Sequence, residues 1–250
     1  MKRAFLDIFL STVAVLFSLF LAHFMMKQNG LSRVVPDPVV GWWTNHLILS
    51  QELTPDFGLE RFAQLNLHAK KWKLNIKAVP QISILTDDEA GLKFVETTLR
   101  SDPNGNFIIN ILANKRLIDK KVISVIDQEK AESRVIIRSP YDNVVREIGR
   151  QEPKWNIGNG EGEVSRLTIM SSLELGAFPP LTGGFFFLNL SRHPHDLSAR
   201  LLTELRRRQL VIIVETNNDP ASWQKALSEG VNGIVMPAAE EFLAWYKGLL

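Results

Sequence analysis

The feature that most constrains the fold of this chain is a regular alternation of short apolar runs with helical stretches, which continues almost to the C-terminus. The apolar runs, rich in β-branched and aromatic residues, predict strands at 39–48, 74–79, 107–112, 134–139, 155–158, 185–190, 210–216 and 233–236. The intervening stretches predict helices at 59–71, 92–100, 116–132, 142–151, 163–173, 197–208 and 221–228. Strands separated by helices of this length pair in parallel through crossover helices. The sequence therefore predicts an α/β fold with a parallel sheet.

The number of strand–helix units favours one architecture. About eight units suit a (β/α)8 TIM barrel, whereas an open doubly wound sheet more often has five or six strands. A further apolar run at 81–85 is a weak candidate for a ninth strand. We predict a TIM barrel over residues 39–250, with functional residues where strands end and the following loops begin.

An apolar run at 5–26 precedes the barrel and follows the basic residues Lys2 and Arg3. About 20 helical residues cover the roughly 30 Å hydrocarbon core of a bilayer. The run is longer than the apolar region of a cleavable signal peptide, which is the alternative interpretation. We therefore predict a single-pass membrane anchor at 1–28 and a linker at 29–38. The basic N-terminus predicts a cytoplasmic N-terminus and an extracytoplasmic barrel, on the periplasmic side in a bacterium.

Composition excludes several classes of protein. The 29 Lys and Arg residues nearly balance the 27 Asp and Glu residues, for a net charge of +2. This balance argues against a nucleic-acid partner, because nucleic-acid-binding domains carry a concentrated basic surplus. The chain has no cysteine, which excludes disulfide scaffolds and thiol catalysis.

Several segments resemble the glycerophosphodiester phosphodiesterases, a family of TIM barrels. The segment Leu-Val-Ile-Ile-Val-Glu-Thr-Asn-Asn-Asp-Pro at 210–220, followed by Gly-Val-Asn-Gly-Ile-Val-Met-Pro at 230–237, is similar to the closing pattern of the family. Pro-Asp-Phe-Gly-Leu-Glu-Arg-Phe at 55–62 resembles the family segment that opens the first helix. The strands at 107–111 and 134–139 resemble two further family strands. The resemblance covers about residues 40–245 and implies the same barrel.

The catalytic residues of the family are mostly replaced. In the family, a His-Arg-Gly motif at the end of the first strand and a second histidine form an acid–base pair. The resemblance places His46 on the first histidine, but Leu47 follows it, so the phosphate-contacting arginine is absent. No histidine lies between His68 and His193, where the family has its second one.

The metal-binding carboxylates of the family are also replaced. The resemblance places Asp56, Asn75, Lys77 and Asn110 on positions where the family has acidic ligands. Calcium and magnesium need several oxygen ligands, and an ammonium 4 Å away would cost about 4 kcal/mol per unit charge of the metal at an effective dielectric near 20. We therefore expect no metal or cofactor. Lys77 could instead occupy the metal position and pair with Asp56 or with an anionic phosphate.

The strand at 210–216 adds two candidate ligand-binding residues. Glu215 replaces the tryptophan that the family pattern has at the barrel mouth, and Asn217 belongs to the matching segment that follows. An acid at a strand end in the expected site is a functional candidate, although an ion pair with Lys77 explains Glu215 equally well.

Two further motifs have alternative interpretations. The segment Gly-Asn-Gly-Glu-Gly at 158–162 could present backbone amides to a phosphate, but its acidic neighbours favour a plain turn. The run Arg206–Arg208 ends a helix, where a solvated basic face is the default and contact with anionic lipid is the alternative.

The predicted function is a membrane-anchored, catalytically degenerate glycerophosphodiester phosphodiesterase-like protein with a binding or scaffolding role. Its expected partners are the membrane and a phosphate-bearing lipid headgroup or glycerophosphodiester. One alternative is an active phosphodiesterase that hydrolyses such headgroups with His46, Asp56 and Glu215 and requires Ca²⁺ or Mg²⁺. A second alternative is a module that binds a partner through its surface alone. Enzymatic activity is left open.

Overall fold

A computed structural model of the chain describes residues 2–29, 46–54, 58–85, 89–191 and 197–249. Helix α1 (Lys2–Asn29) comes first, and eight strands each followed by a helix come after it. The strands are β1 Leu47–Glu52, β2 Ile76–Ile84, β3 Phe107–Ile111, β4 Val135–Arg138, β5 Asn156–Ile157, β6 Phe185–Asn189, β7 Val211–Glu215 and β8 Gly233–Val235. The helices that follow them are α2 Leu59–Lys71, α3 Glu89–Ser101, α4 Ile118–Gln128, α5 Asp142–Gln151, α6 Glu161–Ser172, α7 Ala199–Arg207, α8 Pro220–Ser228 and α9 Ala239–Gly248.

The eight strands form a closed parallel barrel. They pair in the order β5-β4-β3-β2-β1-β8-β7-β6. The last gap closes beside β5, where Gly158 forms a parallel bridge with Phe185 and the Asn159 amide donates to the Phe185 carbonyl over 2.9 Å. Gly183 permits this closure, because a Cβ there would overlap the carbonyl oxygen of Ile157. The predicted (β/α)8 fold is confirmed.

Alternate strand residues fill the inside of the barrel. Strand side chains alternate between the two faces of a sheet, so every second residue of each strand points inward. The inner cluster contains one or two residues from seven of the strands: Ile48, Val79, Ile108, Ile136, Phe185, Phe187, Ile213 and Val235. The other faces of the strands pack against the helices in two larger apolar clusters. The inner face also includes polar residues, because Ser50 and Gln81 pair in register with Val79 and Ile108 of this cluster.

The first two strands differ from the sequence prediction. The predicted first strand at 39–48 is wrong in position, because β1 begins at Leu47 and continues to Glu52. Residues 39–45 of that prediction, and 30–38 of the predicted linker, lie outside the described residues. The second strand is longer than predicted and includes the run at 81–85 as far as Ile84, so that run is not a ninth strand. The other six predicted strands each overlap a strand of the barrel.

The N-terminal segment forms the 28-residue helix α1. Among the residues that the structure describes, no helix combines the length and apolarity needed to cross a membrane. The predicted membrane-spanning helix is therefore not supported.

A buried ionic cluster fixes α7 to the segment before β6. Glu204 and Arg208 are 4% and 2% exposed, although both are charged. The Arg208 guanidinium donates to the carbonyls of Gly176 (2.5 Å) and Pro179 (2.8 Å) and to Oε1 of Glu204 (2.7 Å). Arg207 also donates to Glu204, over 2.6 Å. The solvated and lipid-binding interpretations of the arginine run therefore do not apply to Arg208, which is structural.

This cluster predicts an acid-dependent loss of stability. Burial alone raises the pKa of Glu204, but the hydrogen bonds and charges of Arg207 and Arg208 outweigh it, so the pKa lies below the ordinary value of 4.5. A depressed carboxyl pKa stabilises the fold above the unfolded pKa, and this contribution disappears as the pH falls through the folded pKa. In urea unfolding, we expect the stability difference between the native chain and Glu204→Gln to shrink as the pH falls below about 4.5. A difference that stays constant down to pH 3 would contradict this assignment.

Candidate functional site

The carboxyl ends of the strands surround a cavity of about 300 Å³. It lies between the ends of β4, β6 and β7 and the first turns of α6. Its lining is mixed, with charged, amide, hydroxyl and apolar side chains: Arg138, Ser139, Pro140, Asn159, Glu161, Val164, Ser165, Thr168, Ile169, Phe187, Asn189 and Glu215. This is the end of a TIM barrel at which binding and catalysis occur. We take this cavity and the adjoining strand ends as the candidate site.

An ion pair crosses the mouth of the barrel. Arg138, the last residue of β4, donates through Nη1 to Oε1 of Glu215, the last residue of β7. The side chains are 14% and 21% exposed, so water screens the pair only in part. Asn189 at the end of β6 donates to the other carboxylate oxygen of Glu215 over 2.7 Å. The guanidinium carbon of Arg138 lies 4.4 Å from the centre of the Phe187 ring, within the range of a cation–π contact.

These contacts leave part of the guanidinium available. Its only hydrogen bond to a described residue is the one from Nη1 to Glu215. An arginine side chain has five N–H donors in a planar fork that matches carboxylate and phosphate oxygens. Arg138 therefore presents further donors at the cavity wall while Glu215 and Phe187 hold its position.

The opposite side of the mouth is polar and includes one carboxylate, that of Glu52. Gln81 donates to Oε2 of Glu52 over 2.8 Å, and Asn110 donates to the Ser83 hydroxyl over 3.4 Å. Asn110 is 6% exposed, and its Oδ1 has no hydrogen-bond partner among the described residues. A buried acceptor without a partner costs about 1–3 kcal/mol, so such atoms favour a bound water or ligand.

The wall beside β5 has two more acceptors of this kind. Asn159 is 4% exposed, and its Nδ2 donates to the carbonyls of Gly183 (3.2 Å) and Phe185 (3.0 Å). These two carbonyls fix the orientation of the amide, because a flipped amide would place oxygen against oxygen. Within the described part of the chain, neither Asn159 Oδ1 nor Thr168 Oγ1 has a hydrogen-bond partner. Both residues line the cavity.

The glycine-rich segment at 158–162 is a capped helix start. Oδ1 of Asp142 accepts hydrogen bonds from the amides of Gly162 (2.9 Å) and Glu163 (3.3 Å), at the beginning of α6. A Cβ on Gly160 would overlap Asp142, so glycine allows this close approach. The carboxylate occupies the amides that a phosphate would need, which agrees with the interpretation of the segment as a turn.

Three of the predicted site residues lie near the mouth. Asn110 is in β3 one residue before its end, Glu215 ends β7, and Asn217 follows two residues later. Asn217 is exposed, and its carbonyl accepts from the indole of Trp223 over 3.1 Å. Asp56 lies outside the described residues.

The other three predicted site residues lie at the opposite end of the barrel. His46 precedes β1, and Asn75 precedes β2, where its carbonyl accepts from the Leu47 amide over 2.9 Å. The six residues of β1 span about 20 Å, so the structure does not bring His46 to the mouth. Lys77 is the second residue of β2 and pairs in register with Ile48, and burial lowers the pKa of its ammonium. The structure pairs Glu215 with Arg138, whereas the alternative interpretation of Glu215 paired it with Lys77.

The described residues do not fit a divalent metal. No group of three or more His, Cys, Asp or Glu among them is placed to hold a metal ion. At the mouth, Glu215 already accepts from Arg138 and Asn189, and Glu52 accepts from Gln81. A guanidinium beside Glu215 would also repel a divalent cation. We therefore derive no step through a metal at this site.

Sequence reasoning missed Arg138, Asn159, Phe187 and Asn189. The strand that ends at Arg138 was compared with the family, but the arginine was not recognised as a site residue. Its signal is a polar or charged residue at the carboxyl end of a buried apolar strand, Val135–Arg138. The same rule finds Asn189 at the end of β6.

The structure is similar to solved glycerophosphodiester phosphodiesterases. One from Parabacteroides distasonis is 15% identical, with a TM-score of 0.56 over 82% of this chain and 98% of that chain. A second from the same organism is 12% identical, with a TM-score of 0.56 over 82% and 87%. One from Agrobacterium tumefaciens is 10% identical, with a TM-score of 0.52 over 80% and 99%.

Comparison at the level of sequence gives no match. Neither the known family descriptions nor the curated proteins match this chain. At these identities the structural likeness shows the fold alone. The chain is thus a (β/α)8 barrel of the kind found in glycerophosphodiester phosphodiesterases.

Proposed function

We propose that the protein binds a phosphate-bearing headgroup or glycerophosphodiester at the barrel mouth and does not hydrolyse it. The observation that supports this most is Arg138, a guanidinium held at the cavity wall with donors to spare. Phosphate oxygens are well matched to such donors, and charge-assisted hydrogen bonds are about twice as strong as neutral ones. A fixed organic cation would thus supply the positive charge that a metal provides in other phosphate sites.

The second half of the proposal concerns chemistry. Phosphodiester cleavage needs groups that deliver and remove protons, and histidine is the commonest. In the described ranges, His46 lies at the far end of the barrel and His68 stacks on Trp72 in α2. Both carboxylate oxygens of Glu215 already accept hydrogen bonds, from Arg138 and from Asn189. This arrangement favours binding over catalysis.

Calorimetric titration of the full chain with glycerophosphocholine tests the proposal. We expect saturable binding that is unchanged by EDTA, because the site uses a guanidinium. Lys77→Met is the matched control, since it removes a cation from the opposite end of the barrel and is expected to leave affinity unchanged. Binding that requires a divalent metal, or that disappears in Lys77→Met, would overturn the proposal.

An active phosphodiesterase is the second candidate. The observation in its favour is the fold, which is shared with structures named as glycerophosphodiester phosphodiesterases. This candidate requires Ca²⁺ or Mg²⁺ and contributions from residues outside the described ranges, such as Asp56. It predicts metal-dependent turnover, which the first candidate excludes.

We also propose that α1 attaches the barrel to a membrane surface. The support is exposed apolar surface, since Leu16, Phe17 and Phe20 are each more than 60% exposed. Exposed apolar surface of this kind often marks a membrane or protein contact.

In vesicle flotation, the full chain should float with lipid, and the double substitution Leu16→Asp and Phe20→Asp should prevent flotation. Leu67→Asp, an equally exposed position on α2, is the control. Flotation that survives the double substitution would contradict attachment through α1.

A further inference from the structure

Four exposed lysines surround a tryptophan at the end of the barrel opposite the mouth. The carboxyl ends of the neighbouring helices α2 and α9 supply them: Lys70, Lys71, Lys73 and Lys247. The ammonium of Lys247 lies 4.5 Å from the centre of the Trp72 ring, a cation–π contact that joins the two helix ends. These five residues are called the basic patch below.

The basic patch is a local concentration of positive charge. No Asp or Glu lies between Glu60 and Asp87 in the sequence, and the acidic residues of α9 lie in its first turn, at the other end of that helix. In the part of the chain that the structure describes, none of the four lysines forms an ion pair. Elsewhere at this end the signs are mixed, as in the segment that contains Glu129, Lys130 and Glu132. The patch therefore stands out in a chain whose net charge is only +2.

The residue types of the patch fit the surface of an anionic bilayer. Each basic residue close to such a surface strengthens binding about fivefold. Tryptophan is enriched where headgroups meet hydrocarbon, because its ring is apolar and its N–H is polar. Trp72 is half-buried, and Leu249, two residues after Lys247, is 59% exposed. The patch thus offers cations for lipid phosphates and an apolar surface between them.

The patch lies where the chain enters the barrel. Strand β1 begins at Leu47, and residues 30–45 connect it to α1 in the sequence. The Leu47 amide donates to the carbonyl of Asn75, two residues after Lys73, over 2.9 Å. The start of β1 and the patch are therefore neighbours. This position favours contact between the patch and a membrane that α1 holds.

We infer that the basic patch docks the amino-terminal end of the barrel on the headgroups of an anionic bilayer. The inference rests on the proposed attachment through α1 and adds a second contact, which is selective for charge. The patch precedes β2, whereas the mouth lies at the carboxyl ends of the strands. A barrel docked in this way opens its mouth towards the aqueous phase and away from the bilayer.

Vesicle flotation of the full chain over a range of lipid concentrations tests the inference. Neutral vesicles contain phosphatidylcholine, and anionic vesicles contain phosphatidylcholine mixed with phosphatidylglycerol. We expect the native chain to bind anionic vesicles about tenfold more tightly than neutral ones, and added salt to reduce this preference. The triple substitution Lys71→Gln, Lys73→Gln and Lys247→Gln should remove most of the preference. It should leave binding to neutral vesicles unchanged, because that binding depends on α1.

The matched control is the triple substitution Lys93→Gln, Lys115→Gln and Lys120→Gln. These lysines are also exposed, and they follow the carboxyl ends of β2 and β3, so the control removes the same charge near the mouth. It should keep the preference for anionic vesicles. Leu67 lies one helical turn before Lys71, so Leu67→Asp serves as the control for α1 on neutral vesicles.

The outcomes separate the patch from α1. Equal binding to neutral and anionic vesicles would overturn the inference while attachment through α1 stands. A preference for anionic vesicles that survives the patch substitutions would also overturn it. Binding to anionic vesicles alone, lost with the patch substitutions, would support the patch and overturn attachment through α1. Absence of binding to both kinds of vesicle would overturn both proposals. A duplex DNA that binds the patch more tightly than anionic vesicles would identify the partner as nucleic acid and overturn the assignment to lipid.

Discussion

Replacing Arg208 by methionine is expected to lower the free energy of unfolding by about 3 kcal/mol, which is the scale for breaking a buried ion pair. The substitution keeps an unbranched apolar stem but removes three hydrogen bonds. It leaves the carbonyls of Gly176 and Pro179 without their donor and deprives Glu204 of one of its two arginine partners. Urea unfolding followed by circular dichroism measures the change.

The control for this experiment is Arg200→Met on the same helix. Arg200 is 61% exposed and pairs with the exposed Glu174, so its loss should cost less than about 1 kcal/mol. Equal effects of the two substitutions would show that the Arg208 cluster contributes no more than a surface ion pair, contrary to the structure.

Replacing Arg138 by methionine is expected to weaken glycerophosphocholine binding at least tenfold, because the phosphate loses its charge-assisted donors. The substitution also leaves Glu215 with Asn189 alone, so we expect a loss of about 2 kcal/mol in stability. Titration calorimetry gives the first effect and urea unfolding gives the second.

A double variant distinguishes the two roles of Arg138. Adding Glu215→Gln to Arg138→Met removes the uncompensated carboxylate and should restore most of the stability without restoring binding. Binding that returns in the double variant would mean that Arg138 acts only by neutralising Glu215. Full affinity in Arg138→Met would overturn its assignment as the phosphate contact.

The barrel could be predicted from the sequence because its strands are buried on both faces. Runs such as 211–214 and 107–109 are apolar on consecutive residues, which is typical of strands covered by helices outside and side chains inside. The first strand was predicted incorrectly for a related reason. Its sequence, Leu47–Glu52, becomes polar after three residues, because its inward side chains approach the mouth.

That error in the first two strands also displaced the site. The predicted first strand ends at Ile48, which would place His46 at the mouth together with Asn75. In the structure, β1 begins just after His46 and β2 begins just after Asn75. The residue pattern alone does not show how far along the barrel axis a residue lies. The register of β1 and β2, in which Leu47 pairs with Ile76, gives that position. Glu215 and Asn110 do lie near the mouth, and the predicted ends of their strands are within one residue of the observed ends.

The partners of Glu215 and Arg208 depend on long-range geometry. Arg138 and Glu215 are 77 residues apart, and only closure of the barrel brings β4 and β7 to face each other across the mouth. In the sequence, Arg208 belongs to a run of arginines that predicts an exposed surface. It is buried because the segment before β6 passes over it and accepts its hydrogen bonds. Local propensity carries no information about either contact.

Turnover of glycerophosphodiesters by the full chain is the most direct test of binding without hydrolysis. The assay uses glycerophosphocholine and glycerophosphoinositol with Ca²⁺, Mg²⁺ or Mn²⁺, on protein shown to bind them by calorimetry. Its control variants are Glu215→Gln at the mouth and His193→Ala and His195→Ala, which follow β6 in the sequence and lie outside the described residues. We predict binding with no turnover above the protein-free rate under any metal. Metal-dependent turnover that is lost in one of these variants would contradict the account and establish the protein as a phosphodiesterase.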